Sequence, residues 1–371
     1  MGPDFDALTL DELRRRSSAK WREHGPDVLP MWVAELDVPL APAVTRVLRE
    51  AVEHGDTGYA FPSSLAPAFA SFAARRWGWQ VDPARCWPVA DVMVGVAEAL
   101  RMLTSPGDGV VVCPPVYPPF FHVPVEHGRV VVEVPLDPGG GLDLPRIDAA
   151  LGAGARAVLL SSPHNPTGRV WTAAELQALD DVVRPHGAVV VSDEIHAPLT
   201  LPGARFAPYL GAGERDAVAV VSASKAFNLA GLKAALLVAG SAAVAERLAT
   251  LSYEVAYRCG HLGTAASVAA WTDGDAWLDG LIAHLDRNRR LLADLLPAGV
   301  GYAPPQASYL AWLDFRPLGL EAPAARLLER GRVALVEGSD FGAAGAGFAR
   351  LNLGTTRAVL EEGARRVRAA C

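Results

Sequence analysis

The stretch Ala188-Val-Val-Val-Ser-Asp-Glu-Ile-His196 decides the fold class of this chain. Its apolar part is continuous and does not alternate with polar residues, which is typical of a strand buried on both faces of a parallel sheet. Similar runs recur along the chain: Gly109–Cys113, Val130–Val134, Ala157–Ser161, Val218–Ser222 and Ala234–Ala239. We therefore expect a sheet whose two faces are both covered by helices.

Helix signals lie between these strands. The clearest is Thr172–Arg184, where Thr172 can cap the first turn, Glu175 stands at the capping-box position and apolar residues recur at helical spacing. Strand and helix in alternation predict an α/β fold with a doubly wound sheet. Toward the C-terminus shorter elements predict a smaller α/β layer: Trp277–Leu296, Ala307–Phe315, Ala322–Arg330, Phe348–Leu353 and Val359–Arg368.

The composition excludes several classes of protein. Apolar residues make up 51% of the 371 residues and charged residues 20%, which permits a large core and excludes a disordered chain. The formal net charge of −7 disfavours binding to nucleic acid or to anionic membranes. The cysteines form no CxxC pair and the histidines no HxxxH pair, so we expect neither a disulfide framework nor a metal site.

The sequence predicts a cytoplasmic protein. Its N-terminus shows no apolar signal-peptide core, and its longest apolar run, Ala234–Ala245, is far shorter than the ~20 residues of a membrane span.

Lys225 is the first candidate for chemistry. It follows the run Val218–Ser222, and α/β folds bind ligands at the carboxyl ends of their strands. Burial there would lower the pKa of the amine and make it nucleophilic towards a carbonyl. A surface loop lysine is the alternative. The chain has only two other lysines, Lys20 and Lys233, so we favour the functional interpretation.

Two further strand ends carry polar residues. Asp193 could pair with a cationic ring nitrogen, although taken alone it is better explained as a helix cap. Asn165 lies in Ser162-Pro-His-Asn-Pro-Thr-Gly168, where two prolines and a glycine fix a loop that could also be an ordinary tight turn.

Two weaker candidates are Gly95 and Arg350. Gly95 begins a predicted helix whose N–H groups could bind an anion, or it is a plain helix start. Neither GxGxxG nor GxxxxGK[ST] occurs, so dinucleotide and P-loop sites lack support. Arg350 lies inside an apolar strand, where it either binds a carboxylate or forms a structural ion pair.

Taken in order, these motifs resemble the fold-type I pyridoxal-phosphate (PLP) enzymes, the class I/II aminotransferase superfamily. They are Gly95-Val-Ala97, Tyr117-Pro118, Asn165-Pro-Thr-Gly168, Asp193, Ser222-Ala-Ser-Lys225 and Arg350. Other segments are similar to the MalY/PatB branch of cystathionine β-lyases and cysteine-S-conjugate C–S lyases: Lys20-Trp21, Leu29–Asp37, Gly58-Tyr59, Pro115–Phe121, His164–Trp171 and Asp193–His196. The resemblance covers nearly the whole chain.

The resemblance implies PLP fold type I: a large domain with a mostly parallel seven-stranded sheet, and a small α/β domain formed by both terminal segments. We expect residues 1–45 in the small domain, residues 46–284 as the large PLP-binding domain and residues 285–371 as the rest of the small domain. It also implies a homodimer whose active site is shared across the interface.

The resemblance implies these roles. Lys225 would form the Schiff base and move the proton at Cα, Asp193 would keep the pyridine nitrogen protonated, and Tyr117 would stack on the ring. The other cofactor contacts would be Asn165 and His196 near the ring oxygen, Gly95, Val96, Ala97, Ser222, Ser224 and Lys233 at the phosphate, and Tyr59 from the other subunit. Arg350 would bind the substrate carboxylate, with Asn165 and the backbone of Val33 and Ala34.

Two positions depart from the pattern. Lys233 stands where many relatives have Arg, which keeps the charge but loses the fork of donors. His196 stands where transaminases commonly have Tyr, although His is usual in the lyase branch.

The expected reaction is β-elimination from cystathionine or another L-cysteine S-conjugate, through a quinonoid and an aminoacrylate, to thiol, pyruvate and ammonia. Transamination uses the same residues and is the first alternative. A natural-product enzyme acting on a bulky S-conjugate, by elimination or oxidative deamination, is the second. A regulatory protein of the same fold is a third, which the intact Lys225, Asp193 and Asn165 disfavour.

Overall fold

The structure is a computed structural model that describes residues 3–371. Within these residues thirteen strands form three sheets: β1 (Leu29–Pro30), β2 (Cys86–Val89), β3 (Gly109–Val112), β4 (Val130–Glu133), β5 (Ala155–Ser161), β6 (Val189–Asp193), β7 (Ala217–Val221), β8 (Ala235–Ala239), β9 (Gly301–Tyr302), β10 (Leu310–Asp314), β11 (Val333–Ala334), β12 (Val336–Glu337) and β13 (Phe348–Asn352).

Fourteen α-helices surround them: α1 (Leu10–Leu13), α2 (Ala19–Arg22), α3 (Pro42–Glu53), α4 (Leu65–Trp77), α5 (Val92–Leu103), α6 (Pro119–Glu126), α7 (Leu144–Gly152), α8 (Ala173–Val183), α9 (Ala242–Leu248), α10 (Tyr253–Tyr257), α11 (His261–Asp273), α12 (Asp275–Leu295), α13 (Pro323–Arg326) and α14 (Arg357–Ala370). The capping box predicted for Thr172 and Glu175 is present at the start of α8.

The central sheet has seven strands in the order β2-β8-β7-β6-β5-β3-β4. Strands β3 to β7 run parallel to one another. Strand β8 pairs antiparallel with β7 on one side and with β2 on the other. The predicted α/β fold with a mostly parallel seven-stranded sheet is confirmed. Separate apolar clusters cover the two faces of the sheet, so its inner strands are buried on both sides as the continuous runs predicted.

The two edges of this sheet differ from the sequence-based expectations. The run Val130–Val134 does not form a strand buried on both faces, because β4 lies at one edge and Val130 is 55% exposed. The strand β2 at the other edge was missed. It is short and contains Pro88, and proline is tolerated in a sheet mainly at an edge.

A second sheet is built from the C-terminal part of the chain, with the antiparallel order β12-β13-β10-β9. The N-terminal segment joins this region through β1, which pairs in parallel with β11 (Leu29 opposite Val333). The predicted helix Ala322–Arg330 is divided into α13 and a π-helical turn, Leu327–Gly331. The domain division at residues 45/46 and 284/285 stays a prediction.

No helix within residues 3–371 is both long enough and apolar enough to cross a membrane. The same residues contain no group of three or more His, Cys, Asp and Glu side chains that could hold a metal ion.

Candidate active site

A cavity of about 940 Å³ opens at the carboxyl ends of the central strands. Asn165 follows β5, Asp193 ends β6 and Lys225 follows β7, and all three side chains line the cavity. The parallel register, with Ser161 opposite Asp193, brings these strand ends to one edge of the sheet. Adjacent parallel strands thus place side chains that are distant in sequence around one space.

Lys225 lies deep in the cavity. Its Nζ donates a hydrogen bond to the carbonyl oxygen of Ala34 (3.0 Å). Burial, together with the positive charge of Arg350, lowers the pKa of the amine to about 8. A larger fraction of this amine is therefore neutral near neutral pH than of an ordinary lysine, as a nucleophile or a base requires.

Asp193 is buried and accepts a hydrogen bond from the backbone N–H of Ile195 (3.1 Å). Burial raises the pKa of its carboxyl to about 7, against the opposing effect of the Lys225 charge. A cationic ligand group beside it would stabilise the ionised carboxylate. Asp193 therefore suits a ligand that carries a protonated ring nitrogen.

His196 is the second buried titratable group beside Lys225. Burial lowers the pKa of its imidazole to about 3, and the charges of Lys225 and Arg350 act in the same direction. Its Nδ1 has no hydrogen-bond partner within the described part of the chain. A buried polar atom without a partner is costly, so this nitrogen is available to a ligand in the cavity.

Arg350 brings a buried positive charge to the cavity. Its Nη1 donates to Asn165 Oδ1 (3.0 Å), its Nη2 donates to the carbonyl oxygen of Trp32 (3.3 Å), and the guanidinium lies over the ring of Phe341. These partners are neutral, and residues 3–371 hold no carboxylate in a salt bridge with Arg350. The structural ion pair that the sequence left open is therefore absent there, and the charge can receive a ligand's carboxylate.

The backbone of Val33 and Ala34 forms part of the cavity wall and is fixed by residues that the sequence analysis missed. Asn352 Nδ2 donates to the carbonyl oxygen of Val33 (2.6 Å), and the Tyr309 hydroxyl donates to that of Ala34 (3.0 Å). Asn352 could have been found, because it stands two residues after Arg350 on the same strand and so shares its face.

Gly95 is not at the start of its helix, and this corrects the assignment of Gly95, Val96 and Ala97 to an anion site. Helix α5 begins at Val92 with Asp91 as its N-cap, so the helix starts three residues earlier than predicted. Gly95 lies against the sheet: an added Cβ would stand 2.8 Å from Val220 Cγ1. The glycine serves close packing of helix on sheet, and none of the three residues lines the cavity.

Within residues 3–371 the N–H groups of Val92 and Met93 have no hydrogen-bond partner, and both residues line the cavity. The next two N–H groups are occupied: Val94 donates to Asp91 Oδ1 (2.9 Å) and Gly95 to the carbonyl oxygen of Asp91 (2.9 Å). An anion would therefore bind at the first turn of α5.

The remaining predicted residues are placed differently. Tyr117, Ser224 and Lys233 line the cavity, whereas Ser222 lies behind it. The Ser222 hydroxyl donates to the carbonyl oxygen of Ala234 (2.7 Å) and accepts from the Ser224 N–H (3.1 Å). Ser222 thus shapes the turn that carries Ser224.

Tyr59 is 88% exposed and lies outside the cavity, with its ring near that of Tyr257 (6.3 Å between centroids). The chain by itself does not bring Tyr59 to the other candidate residues.

One part of the cavity lining, which we call the C-terminal wall, was not predicted. It is largely apolar: Ala322, Ala324, Ala325, Leu328, Leu335, Val336 and Phe341. Glu337 lies among them, but its carboxylate accepts the backbone N–H groups of Ala324 (3.1 Å), Ala325 (3.2 Å) and Gly338 (3.3 Å). Alanines in short helical segments carried no sign of a binding role.

Comparison with known proteins supplies the context for this geometry. Residues 27–367 match the family model of class I and II aminotransferases. A putative cystathionine beta-lyase of Mycobacterium leprae is 46% identical, over 96% of each chain. The cystathionine beta-lyase PatB of Bacillus subtilis is 35% identical, over 95% of this chain and 96% of its own length.

Solved structures also resemble this chain over its whole length. One is a putative PLP-dependent beta-cystathionase of Corynebacterium diphtheriae, with a TM-score of 0.94 and 35% identity over 100% of this chain and 99% of that one. Cystalysin of Treponema denticola, which contains a PLP cofactor, has a TM-score of 0.90 and 28% identity over 100% of this chain and 99% of its own.

Proposed function

Since this chain belongs to the class I and II aminotransferase family, we propose that it cleaves the C–S bond of cystathionine or another L-cysteine S-conjugate. The chain is a PLP-dependent lyase, and the resemblance inferred from its motifs is confirmed. The substrate and the products are the proposal. One water is consumed, and a thiol, pyruvate and ammonia are released.

The cavity fits PLP on the basis of its unsatisfied groups. His196 Nδ1 is buried without a partner in the described residues, and Val92 and Met93, at the first turn of α5, line the same cavity. Asp193 lines it at the end of β6. A flat ring with a basic nitrogen, a polar substituent and a phosphate would supply partners to these groups.

We assign the cofactor contacts accordingly. Asp193 would hold the ring nitrogen in its protonated form, and Lys225 would hold the aldehyde carbon covalently. Asn165 and His196 would contact the ring oxygen, and Tyr117 would lie on the ring face. Four groups would hold the phosphate: the N–H groups of Val92 and Met93, the Ser224 hydroxyl and the Lys233 amine.

Side chains of the protein would remove the proton from Cα and bind the substrate carboxylate. When bound, PLP withdraws electrons from the substrate's Cα and so acidifies its proton. The Lys225 amine would take that proton, and its lowered pKa, about 8, keeps part of the amine free to do so. Arg350 would bind the α-carboxylate and fix which bond faces Lys225. The thiol would leave from Cβ toward the C-terminal wall of the cavity.

The observation that carries the lyase assignment is the 46% identity, sustained over 96% of both chains, to a putative cystathionine beta-lyase. An aminotransferase is the second candidate, because the matching family model is that of class I and II aminotransferases and transamination would use the same Lys225, Asp193 and Asn165.

The experiment uses the purified full-length enzyme with PLP and L-cystathionine, without any added keto acid. Pyruvate and free thiol produced in equal amounts are the expected result. Conversion of the cofactor to its pyridoxamine form, reversed by a keto acid, would establish an aminotransferase instead. If neither occurs, the same assay with S-methyl- and S-benzyl-L-cysteine decides whether the enzyme cleaves any S-conjugate.

We further propose that the enzyme is a homodimer in which Tyr59 reaches the partner's phosphate site. The support is a group of exposed aromatic side chains on one chain, namely Tyr59, Phe61, Tyr253 and Tyr257. Sedimentation at several concentrations tests the dimer. Mixing inactive Tyr59 and Lys225 variants tests the shared site, because a mixed dimer would restore one intact site.

A further inference from the structure

Asp91 joins the first turn of helix α5 to Lys233. Its Oδ1 accepts from the N–H of Val94, and its backbone carbonyl oxygen accepts from the N–H of Gly95. Its Oδ2 lies 2.9 Å from Lys233 Nζ. One residue therefore caps the helix and neutralises the lysine beside it.

Lys233 is held in place for this contact. Its backbone is in the left-handed region (φ 62°), and its carbonyl oxygen accepts from the N–H of Gly260 (2.7 Å). Its side chain is about half exposed and lines the cavity together with Asp91, Val92 and Met93. The backbone is fixed, whereas the long side chain can move between partners within reach.

The Asp91 carboxylate disfavours an anion at the first turn of α5, whereas the groups around it favour one. The free N–H groups of Val92 and Met93, the positive end of the helix dipole and the lysine all favour an anion. Asp91 places a negative charge within the same group and occupies the lysine. A phosphate that binds here has to take Lys233 from Asp91 and bear repulsion from the carboxylate.

We propose that Asp91 is a built-in competitor of the cofactor's phosphate: it binds Lys233 when the phosphate is absent and weakens cofactor binding when it is present. This positioning residue sets the affinity for PLP and has no part in the bond-breaking step. The proposal rests on the assignment of the phosphate to the first turn of α5 and goes beyond the lyase reaction.

The test is the dissociation constant of PLP for the full-length enzyme freed of cofactor, measured by equilibrium dialysis. Asp91→Asn removes the charge but keeps a good N-cap. We expect the dissociation constant of PLP to fall at least fivefold and that of pyridoxal, which lacks the phosphate, to change less than twofold. Asp91→Ser, which also caps, provides a second variant should the first fold poorly.

A matched control is Glu98→Gln. Glu98 lies on the same helix, is paired with Arg101 (2.6 Å) and does not line the cavity. Glu98→Gln removes one negative charge from the same helix. The dissociation constants of PLP and of pyridoxal should therefore stay within twofold of those of the unmodified enzyme.

Lys233→Gln tests the competition itself. It should weaken PLP binding at least tenfold and leave pyridoxal binding unchanged. In the double variant the gain from Asp91→Asn should be smaller than in the single variant, because no lysine remains to be released.

Three results would overturn the proposal: an unchanged or weaker affinity of Asp91→Asn for PLP, an equal shift for pyridoxal, or the same gain with and without Lys233. None of them depends on C–S cleavage, which the pyruvate assay measures separately.

Discussion

The amine of Lys225 donates to the carbonyl oxygen of Ala34, 191 residues earlier in the chain, at a distance of 3.0 Å. The same oxygen accepts the hydroxyl of Tyr309. The nucleophile of the large sheet is thus held by the N-terminal segment, which is itself fixed by the C-terminal part of the chain. Formation of the site therefore depends on all three regions.

Lys225→Ala should lose covalent attachment of PLP and at least a thousandfold in turnover, because Lys233, the other lysine that lines the cavity, is paired with Asp91. Borohydride reduction followed by mass spectrometry should label the unmodified enzyme and not the variant. Lys20→Met is a poor control, since Lys20 forms a buried ion pair with Asp37 (2.6 Å). Lys233→Arg, which keeps its charge, should still be labelled at Lys225. Turnover by Lys225→Ala near the normal rate would remove Lys225 from the mechanism.

The rate at which the Lys225 amine reacts with the aldehyde of PLP should rise with pH through about 8, the lowered pKa of Lys225. Only the neutral amine attacks an aldehyde, and at pH 7 roughly a tenth of a group with this pKa is neutral. Arg350→Gln removes a positive charge that lowers this pKa, so its profile should move to higher pH. Stopped-flow absorbance after mixing with PLP measures both profiles.

The control for that shift is Arg365→Gln, because Arg365 is exposed and pairs with Glu362 (2.7 Å) far from the cavity. Its profile should coincide with that of the unmodified enzyme. A profile of Arg350→Gln that stays in place or moves to lower pH would contradict the electrostatic coupling.

Asp193→Asn should bind PLP yet lose at least a hundredfold in kcat, because each ~1.4 kcal/mol of lost transition-state stabilisation costs tenfold. Glu194→Gln is the matched control. Burial raises the pKa of the Glu194 carboxyl to about 8, and the side chain accepts from Ser192 and Tyr209 instead of lining the cavity. Its kcat should stay within threefold. Equal losses in the two variants would mean that the effect of Asp193 is structural.

Gly95→Ala should lower the free energy of unfolding by about 1–3 kcal/mol, because the new Cβ would overlap Val220 and force the helix from the sheet. Gly58→Ala meets nothing within 4 Å and should change it by less than about 0.5 kcal/mol. Urea unfolding of both variants measures the difference. Unchanged stability of Gly95→Ala would contradict the packing role.

Ala325→Trp should narrow the cavity at its C-terminal wall, where the leaving thiol is expected. We expect kcat/KM for S-benzyl-L-cysteine to fall at least tenfold while that for S-methyl-L-cysteine stays within threefold. Steady-state pyruvate release with the two substrates gives the comparison within one variant. Equal losses would place the leaving group elsewhere.

The inner strands were predictable because burial on both faces leaves a continuous apolar run, as in Val189–Asp193. At the edges the prediction was weaker: β4 was predicted as a strand but not as an exposed one, and β2 was missed, because an edge strand has one neighbour and need not be apolar on both faces. The start of α5 was also predicted wrongly, because Gly95 was taken as the beginning of the helix. Gly95 is a conspicuous glycine, but its role is close contact with Val220, whereas the cap of the helix is the less conspicuous Asp91.

The sequence by itself determined the alternation of inner strands and helices, the family, and the polar residues at the ends of β5, β6 and β7, because local apolar patterns and short motifs encode them. Only the tertiary structure decided the contact of Lys225 with Ala34, the neutral partners of Arg350 and the pairing of Asp91 with Lys233. These depend on chain segments separated by more than a hundred residues. Sequence spacing gives no distance across such separations, and the pKa of a buried group depends on whatever the fold packs around it.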